Sequence, residues 1–197
     1  MGPAARPTRE GRSQMSDEWG PLAGLIGEWE GNAGVDVAFS HARGEVIETP
    51  YLEKVTMKPF GPVDNGRQRL YGLDYKTAMW RGSEDDPFHT EVGYWLWDAA
   101  TGEVLRGFVV PRGITVLAGG IAAADAREFT MTAGEPGSTY RIGENTYLAA
   151  NASTVAYRST ITVEDGAWSY DETTTLRMQE IPGDFAHTDR NRLERVV

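Results

Sequence analysis

Residues 153–179 alternate in polarity with a period of two, and no other feature limits what the chain can fold into so tightly. Val155, Tyr157, Ile161 and Val163 share one parity, while Arg158, Thr160, Thr162 and Glu164 take the other. Asp165-Gly166 interrupts the run. The return segment then puts Trp168, Tyr170, Leu176 and Met178 on one parity, with Ser169, Asp171, Thr173, Thr175, Arg177 and Gln179 on the other. Successive side chains of a strand point to opposite faces, and Asp-Gly is a favoured two-residue hairpin turn because glycine tolerates positive φ. The segment reads as an antiparallel hairpin with one buried and one wet face.

Further strand candidates recur at short spacing: 27–39, 45–58, 67–80, 89–97, 103–110, 113–122, 128–133, 146–149 and a final strand over 188–196. The turns between them carry Gly or Pro, as in Pro62-Val63-Asp64-Asn65-Gly66 and Pro111-Arg112-Gly113. The only helix-like stretch precedes residue 30. Ser16-Asp17-Glu18 offers N-cap chemistry, and Pro21 to Gly27 spaces its apolar residues by about one turn, which predicts a short helix or 3₁₀ turn ending at Gly27. About ten short strands without helical crossovers predict an all-β sandwich or a closed antiparallel up-and-down barrel, and closure removes exposed edges. A single domain over 16–197 is expected. Residues 1–15, rich in Pro, Gly, Arg and Ser, are expected to be a disordered extension.

Composition narrows the chemistry. The 197 residues include no cysteine and three histidines, His41, His89 and His187. Disulfide scaffolds, zinc ribbons, iron–sulfur clusters and cysteine nucleophiles are excluded. The net charge is −10, and residues 1–15 carry Arg6, Arg9 and Arg12 against Glu10, so the remainder carries −12. That balance argues against nucleic-acid or anionic-membrane partners. No stretch has the length or apolarity of a signal sequence or a spanning helix, and the lack of cysteine fits a cytoplasmic location. No phosphate-binding loop, His-Glu-x-x-His or Gly-x-Ser-x-Gly sequence occurs.

Two segments stand out. In Gly27-Glu28-Trp29-Glu30-Gly31 the first strand begins with a tryptophan suited to plugging the base of a barrel. In Pro87-Phe88-His89-Thr90-Glu91-Val92-Gly93-Tyr94, His89, Glu91, Gly93, Trp95 and Trp97 share one parity. If that face is the interior, an imidazole, a carboxylate and an indole meet in one cavity, where they must be hydrogen-bonded or neutral. Tyr51, Tyr71, Tyr75 and Trp80 are further candidates for cavity lining, and His41 falls in the Ser40–Gly44 turn.

Together these segments resemble the nitrobindin family of haem-binding β-barrels, related in shape to fatty-acid-binding proteins. The family's Gly-x-Trp-x-Gly-x-Gly opening is matched at Gly27, Trp29 and Gly31, with the next glycine one residue late at Gly34. Its Pro-x-His-x-Glu-x-Gly-Tyr segment is matched at Pro87, His89, Glu91, Gly93 and Tyr94. Pro111, Gly113-Ile114-Thr115 and Ala118-Gly119-Gly120 also follow its pattern.

The resemblance implies a ten-stranded barrel with an apolar cavity open at one end. It also implies a ferric haem b held by a histidine of the last strand, with nitric oxide binding and peroxynitrite isomerisation as its chemistry. Anchored on Leu193-Glu194-Arg195-Val196, the axial position falls on Thr188, with His187 one residue away. Arg190 and Arg192 share the parity of Thr188. A one-residue shift turns a side chain to the other face of the sheet, so the expectation is that Thr188 faces the cavity, His187 faces outward and standard haem ligation is lost.

The cofactor-side candidates are therefore His187, Thr188, His89, Glu91, Trp29 and Tyr94, with His187 the metal ligand if haem binds. Three readings follow. The first is a barrel binding a small hydrophobic or amphipathic ligand, with no catalytic residue. The second is a ferric haem protein using His187, and so an enzyme. The third is a barrel filled by its own side chains and acting as an interaction domain. Oligomeric state is left open.

Overall fold

A computed structural model describes residues 18–196. The expected extension at residues 1–15 lies outside the described residues. A 3₁₀ helix, Gly20–Leu25, leads into β1 (Gly27–Ser40), β2 (Glu45–Asn65), β3 (Gln68–Trp80), β4 (His89–Asp98), β5 (Glu103–Val110), β6 (Ile114–Ile121), β7 (Glu128–Ala133), β8 (Ile142–Glu144), α1 (Thr146–Asn151), β9 (Ala152–Glu164), β10 (Ala167–Met178) and β11 (Asp184–Arg195). Strands β1 to β7 and β9 to β11 form a closed ten-stranded antiparallel barrel. The ring is completed by β1 on β11 and β6 on β7, and short β8 is added beside β6.

The 153–179 hairpin is as expected, with Ala167 opposite Glu164 around the Asp165-Gly166 turn. The stretch expected as a strand at 146–149 is instead α1. The Asn145 side chain accepts from the Leu148 N–H, which is N-cap chemistry, and it seats Leu148 under the barrel rim. The final strand begins at Asp184, earlier than expected, and so contains His187.

One end of the barrel is plugged. Leu22, Leu25, Trp29, Trp97 and Leu193 are all buried there, and the Trp29 indole donates to the Leu25 carbonyl at 2.7 Å. Trp29 and Trp95 each pack edge-on against Trp168. Gly20 has φ +51°, and a Cβ there would lie 2.4 Å from the Trp97 ring, so the plug needs glycine at that point on both counts. At Gly93 the strands approach so closely that a Cβ would lie 2.0 Å from the Gly107 carbonyl oxygen.

Strand β1 carries a bulge. Its register shifts by one residue between Gly31 and Gly34 against β2 and between Glu30 and Val35 against β11. An extra residue reverses which parity faces inward. Trp29 faces inward below the bulge, and Asp36 does so above it. The glycine that came one residue late in the opening motif marks this insertion.

Candidate functional site

Above the tryptophan plug the barrel encloses a cavity of about 680 Å³. A barrel filled by its own side chains is thereby excluded. The mouth is largely apolar, with Phe39, Met79, Phe88, Leu176, Met178 and Phe185 around it, Leu148 of α1 against its side, and Arg81 and Arg112 at its edge. The Arg81 guanidinium lies 4.0 Å from the Phe88 ring centroid at this rim.

The middle of the cavity departs from the apolar interior implied by the family resemblance. Five carboxylates line it: Asp36, Glu53, Glu91, Glu172 and Asp189. On two strands a single charged side chain takes an inward position between apolar ones. In β2 the inward series is Tyr51, Glu53, Val55 and Met57, and in β5 it is Val104, Arg106 and Phe108.

Arg106 organises one side. Its Nη2 donates to Glu91 at 2.6 Å and to the Tyr75 hydroxyl at 3.0 Å, and its Nη1 donates to Glu172 at 2.7 Å and to the Tyr157 hydroxyl at 2.5 Å. The guanidinium also sits within 4.5 Å of the Phe108 ring centroid and 5.1 Å of that of Trp95. Burial alone would raise the Glu91 carboxyl; Arg106 and the His89 hydrogen bond offset this and hold it well below the usual carboxylate range. A second network joins Glu53 to Thr77, Tyr170 and Asn191, at 2.8, 2.8 and 2.9 Å. It continues from Tyr170 through the Tyr51 hydroxyl to Asp189. Burial raises the Glu53 carboxyl, and burial with neighbouring carboxylates pushes Asp189 up to about 7.

His187 lines the cavity, contrary to the facing expected from the sequence, and its Nε2 lies 2.5 Å from Asp36 Oδ1. Thr188 does not line the cavity. The physical reason is the regularity of β11, which pairs with β10 without interruption from Ala167–Glu194 to Arg177–Asp184. Leu193 and Asn191 are buried inside, so period two carries Asp189 and His187 inward and Thr188 outward. An inward residue five positions before Leu193 would need a bulge that β11 lacks. Arg190 and Arg192 are exposed, and Arg192 pairs with Glu164 and Glu194.

Of the remaining candidates, His89 and Glu91 face the cavity together, with His89 Nε2 3.2 Å from Glu91 Oε1. Trp29 lies below the cavity in the plug. Tyr94 has even parity in β4, faces outward at 55% exposure and packs against Phe60, so it is removed from the cavity set. Tyr75 lines the cavity and Tyr51 lies behind it in the Asp189 network, whereas Tyr71 packs on Trp19 and Trp80 donates to the Asp85 carbonyl. His41 stands at the rim, paired with Glu180. The sequence reading missed Arg106, Glu53, Asp36, Glu172 and Asp189. Inward parity within otherwise apolar strands was the signal that could have found Arg106 and Glu53.

Could these residues hold haem iron? An axial imidazole must offer a nitrogen lone pair. Both cavity imidazoles instead have Nε2 turned to a carboxylate. Burial lowers both, but the hydrogen bonds and charges of Glu91 and Asp36 prevail, and both end above the ordinary value of 6.5. Protonation, which the raised values favour, removes the remaining lone pair. As arranged, Nε2 of neither ring is free for a haem iron.

The imidazole shifts have a testable sign. Raised folded-state values mean that each pairing contributes stability that is full below about 6.5 and is lost as pH rises through the folded value. Two-dimensional NMR of ¹⁵N-labelled His side chains should find His89 and His187 titrating above 6.5. Two midpoints at or below it would remove the ionic description of both pairs.

The family model for the THAP4-like, heme-binding beta-barrel domain matches residues 18–195. The crystal structure of Rv2717c from M. tuberculosis superposes with a TM-score of 0.62 at 20% identity, covering 89% of this chain and 95% of that one. That likeness establishes the barrel fold. No curated protein sequence matches the chain.

Proposed function

The chain belongs to the family of THAP4-like, haem-binding β-barrel domains, the nitrobindin family, and within it we propose a protein that binds a small amphipathic molecule in the barrel without His-ligated haem. The observation that carries this reading is the pairing of both cavity imidazoles with carboxylates, at 2.5 Å for His187 and 3.2 Å for His89. The cavity supports it with an apolar mouth over a hydrogen-bonding interior, and its volume of about 680 Å³ suits a ligand of modest size. No residue is assigned a catalytic role.

A soluble cytoplasmic setting is part of the proposal. Among the described residues no helix is long and apolar enough to cross a membrane. The outer wall carries exposed Lys54, Lys58, Asp74 and Lys76, where a membrane barrel would present an apolar band. The chain's acidity, −10 overall, argues against nucleic acid as a partner.

The second reading, ferric haem on His187, is favoured by one observation, that this side chain projects into the cavity. Two titrations separate the readings. Purified protein should bind a neutral environment-sensitive dye with saturation near one equivalent, and added hemin should give no Soret shift that depends on His187. A stoichiometric Soret band that disappears in His187→Ala would establish the haem reading instead.

A further inference from the structure

We infer that the cavity is built for a cationic amphiphile, with a protonated amine seated against a row of three carboxylates and an apolar tail toward the aromatic mouth. This rests on the reading of the barrel as a binding cavity and deepens it by assigning the head group.

Asp189 on β11 is the direct cross-strand partner of both Asp36 on β1 and Glu172 on β10. All three line the cavity. Three carboxylates abreast on adjacent strands repel one another, since like charges directly opposite are destabilising. The two outer members have cationic partners: His187 for Asp36 and Arg106 for Glu172. The central one, Asp189, is met by the Tyr51 hydroxyl and the pair has no cation. Asp36, Glu91 and Glu172 have cationic partners in His187, His89 and Arg106, whereas Glu53 and Asp189 meet only neutral hydrogen-bond donors. Burial raises both of these carboxyls, so a cation beside them would stabilise their ionised forms. The guanidinium groups of Arg81 and Arg112 are at the exposed mouth, where water screens them.

A second observation is independent of the charge count. The row continues on β9 as Ser159, opposite Glu172, and the Ser159 hydroxyl is fully buried without a hydrogen-bond partner. Thr154 Oγ1, on a cavity-lining residue, is also buried and unpartnered. Unpaired buried polar groups are costly, and both hydroxyls carry lone pairs that an ammonium N–H can use. The two carboxylates without a cationic partner, Asp189 and Glu53, set the sign of the head group, and the aromatic walls suit a cation. Both terminal nitrogens of Arg106, the deep guanidinium an anionic head group could use, are already taken by Glu91 and Glu172. A fatty-acid carboxylate would therefore enter against like charge.

Decylamine, decanol and decanoate isolate the head group on a constant tail. Each is titrated calorimetrically, below its aggregation range, and in displacement of the neutral dye. The expected order is amine tightest and carboxylate weakest, with the amine about tenfold or more tighter than the carboxylate. Asp189→Asn should shrink that ratio severalfold and leave decanol binding in place. Equal affinities, or a preference for decanoate, overturn the cationic assignment and leave the binding cavity standing. Failure of the dye and of all three decyl compounds to bind overturns the cavity reading itself.

Discussion

Replacing Arg106 with methionine should cost about 3–5 kcal/mol of stability at neutral pH, because it leaves buried carboxylates without their charge partner. Arg106 is 5% exposed and bonds Glu91 and Glu172 at 2.6 and 2.7 Å. Methionine fills much of the same space, so lost charge rather than a cavity dominates the effect. The pH dependence identifies the mechanism. Burial would raise the Glu91 carboxyl, and Arg106 is the first of the groups that lower it below the usual range. A depressed folded value contributes stability that is present above the ordinary carboxylate pKa and is lost as pH falls through the folded value. In the variant burial acts unopposed by Arg106, and folding requires Glu91 to take up a proton. The gap between the two proteins should therefore be wide near pH ~7.5 and narrow toward pH ~4.5. Urea midpoints across that range measure it. Adding Glu91→Gln and Glu172→Gln to the variant should recover part of the loss. A deficit under about 1 kcal/mol, or one that does not move with pH, would place the network among ion pairs that contribute little.

The fold was legible because burial in a closed barrel follows period two. Tyr157 and Ile161, Trp168 and Tyr170, and His89 through Trp97 were assigned to the correct face from parity alone. Parity fails where the register slips. The β1 bulge reverses facing between Trp29 and Asp36, and its signature, the late Gly34, has no meaning for Asp36 until the strand pairings are known. On β11 the error ran the other way, since anchoring on a family pattern displaced the inward set by one residue in a strand that has no bulge.

The interior network was hidden for a different reason. Arg106 meets Tyr157 and Glu172 from 51 and 66 residues away in sequence, and Glu53 meets Tyr170 and Asn191 from 117 and 138 away. Each residue taken singly resembles a solvated strand position. Only closure of the barrel brings the charges together and makes their pairing obligatory. The helix α1 was missed because Thr146 to Ala149 is short enough for an apolar segment to read as strand, while the deciding contact is the cap from Asn145.

Asp36→Ala should turn the barrel into a hemin-binding protein. In the native chain the Asp36 carboxylate, 7% exposed, meets His187 Nε2 at 2.5 Å. Burial lowers the imidazole, and Asp36 is the first of the groups that raise it, so the same carboxylate both covers Nε2 and favours the protonated ring. Alanine removes both effects. The ring then titrates lower, as burial dictates, and presents a neutral nitrogen into a cavity with room and an aromatic rim. The change also takes one carboxylate from the row beside Asp189, which relieves repulsion and limits the cost to folding. Hemin titration of Asp36→Ala should give a saturable Soret shift that is absent from the native protein and from Asp36→Ala/His187→Ala. The Asp36→Asn variant separates the two effects: its amide removes the charge while still occupying Nε2, and hemin binding should remain weak. If Asp36→Ala stays folded and gives no His187-dependent band, the barrier to haem lies in the remaining carboxylates of the lumen rather than in this pair. If the native protein already binds hemin through His187, the 2.5 Å contact yields to iron, and the chain joins its family's haem carriers.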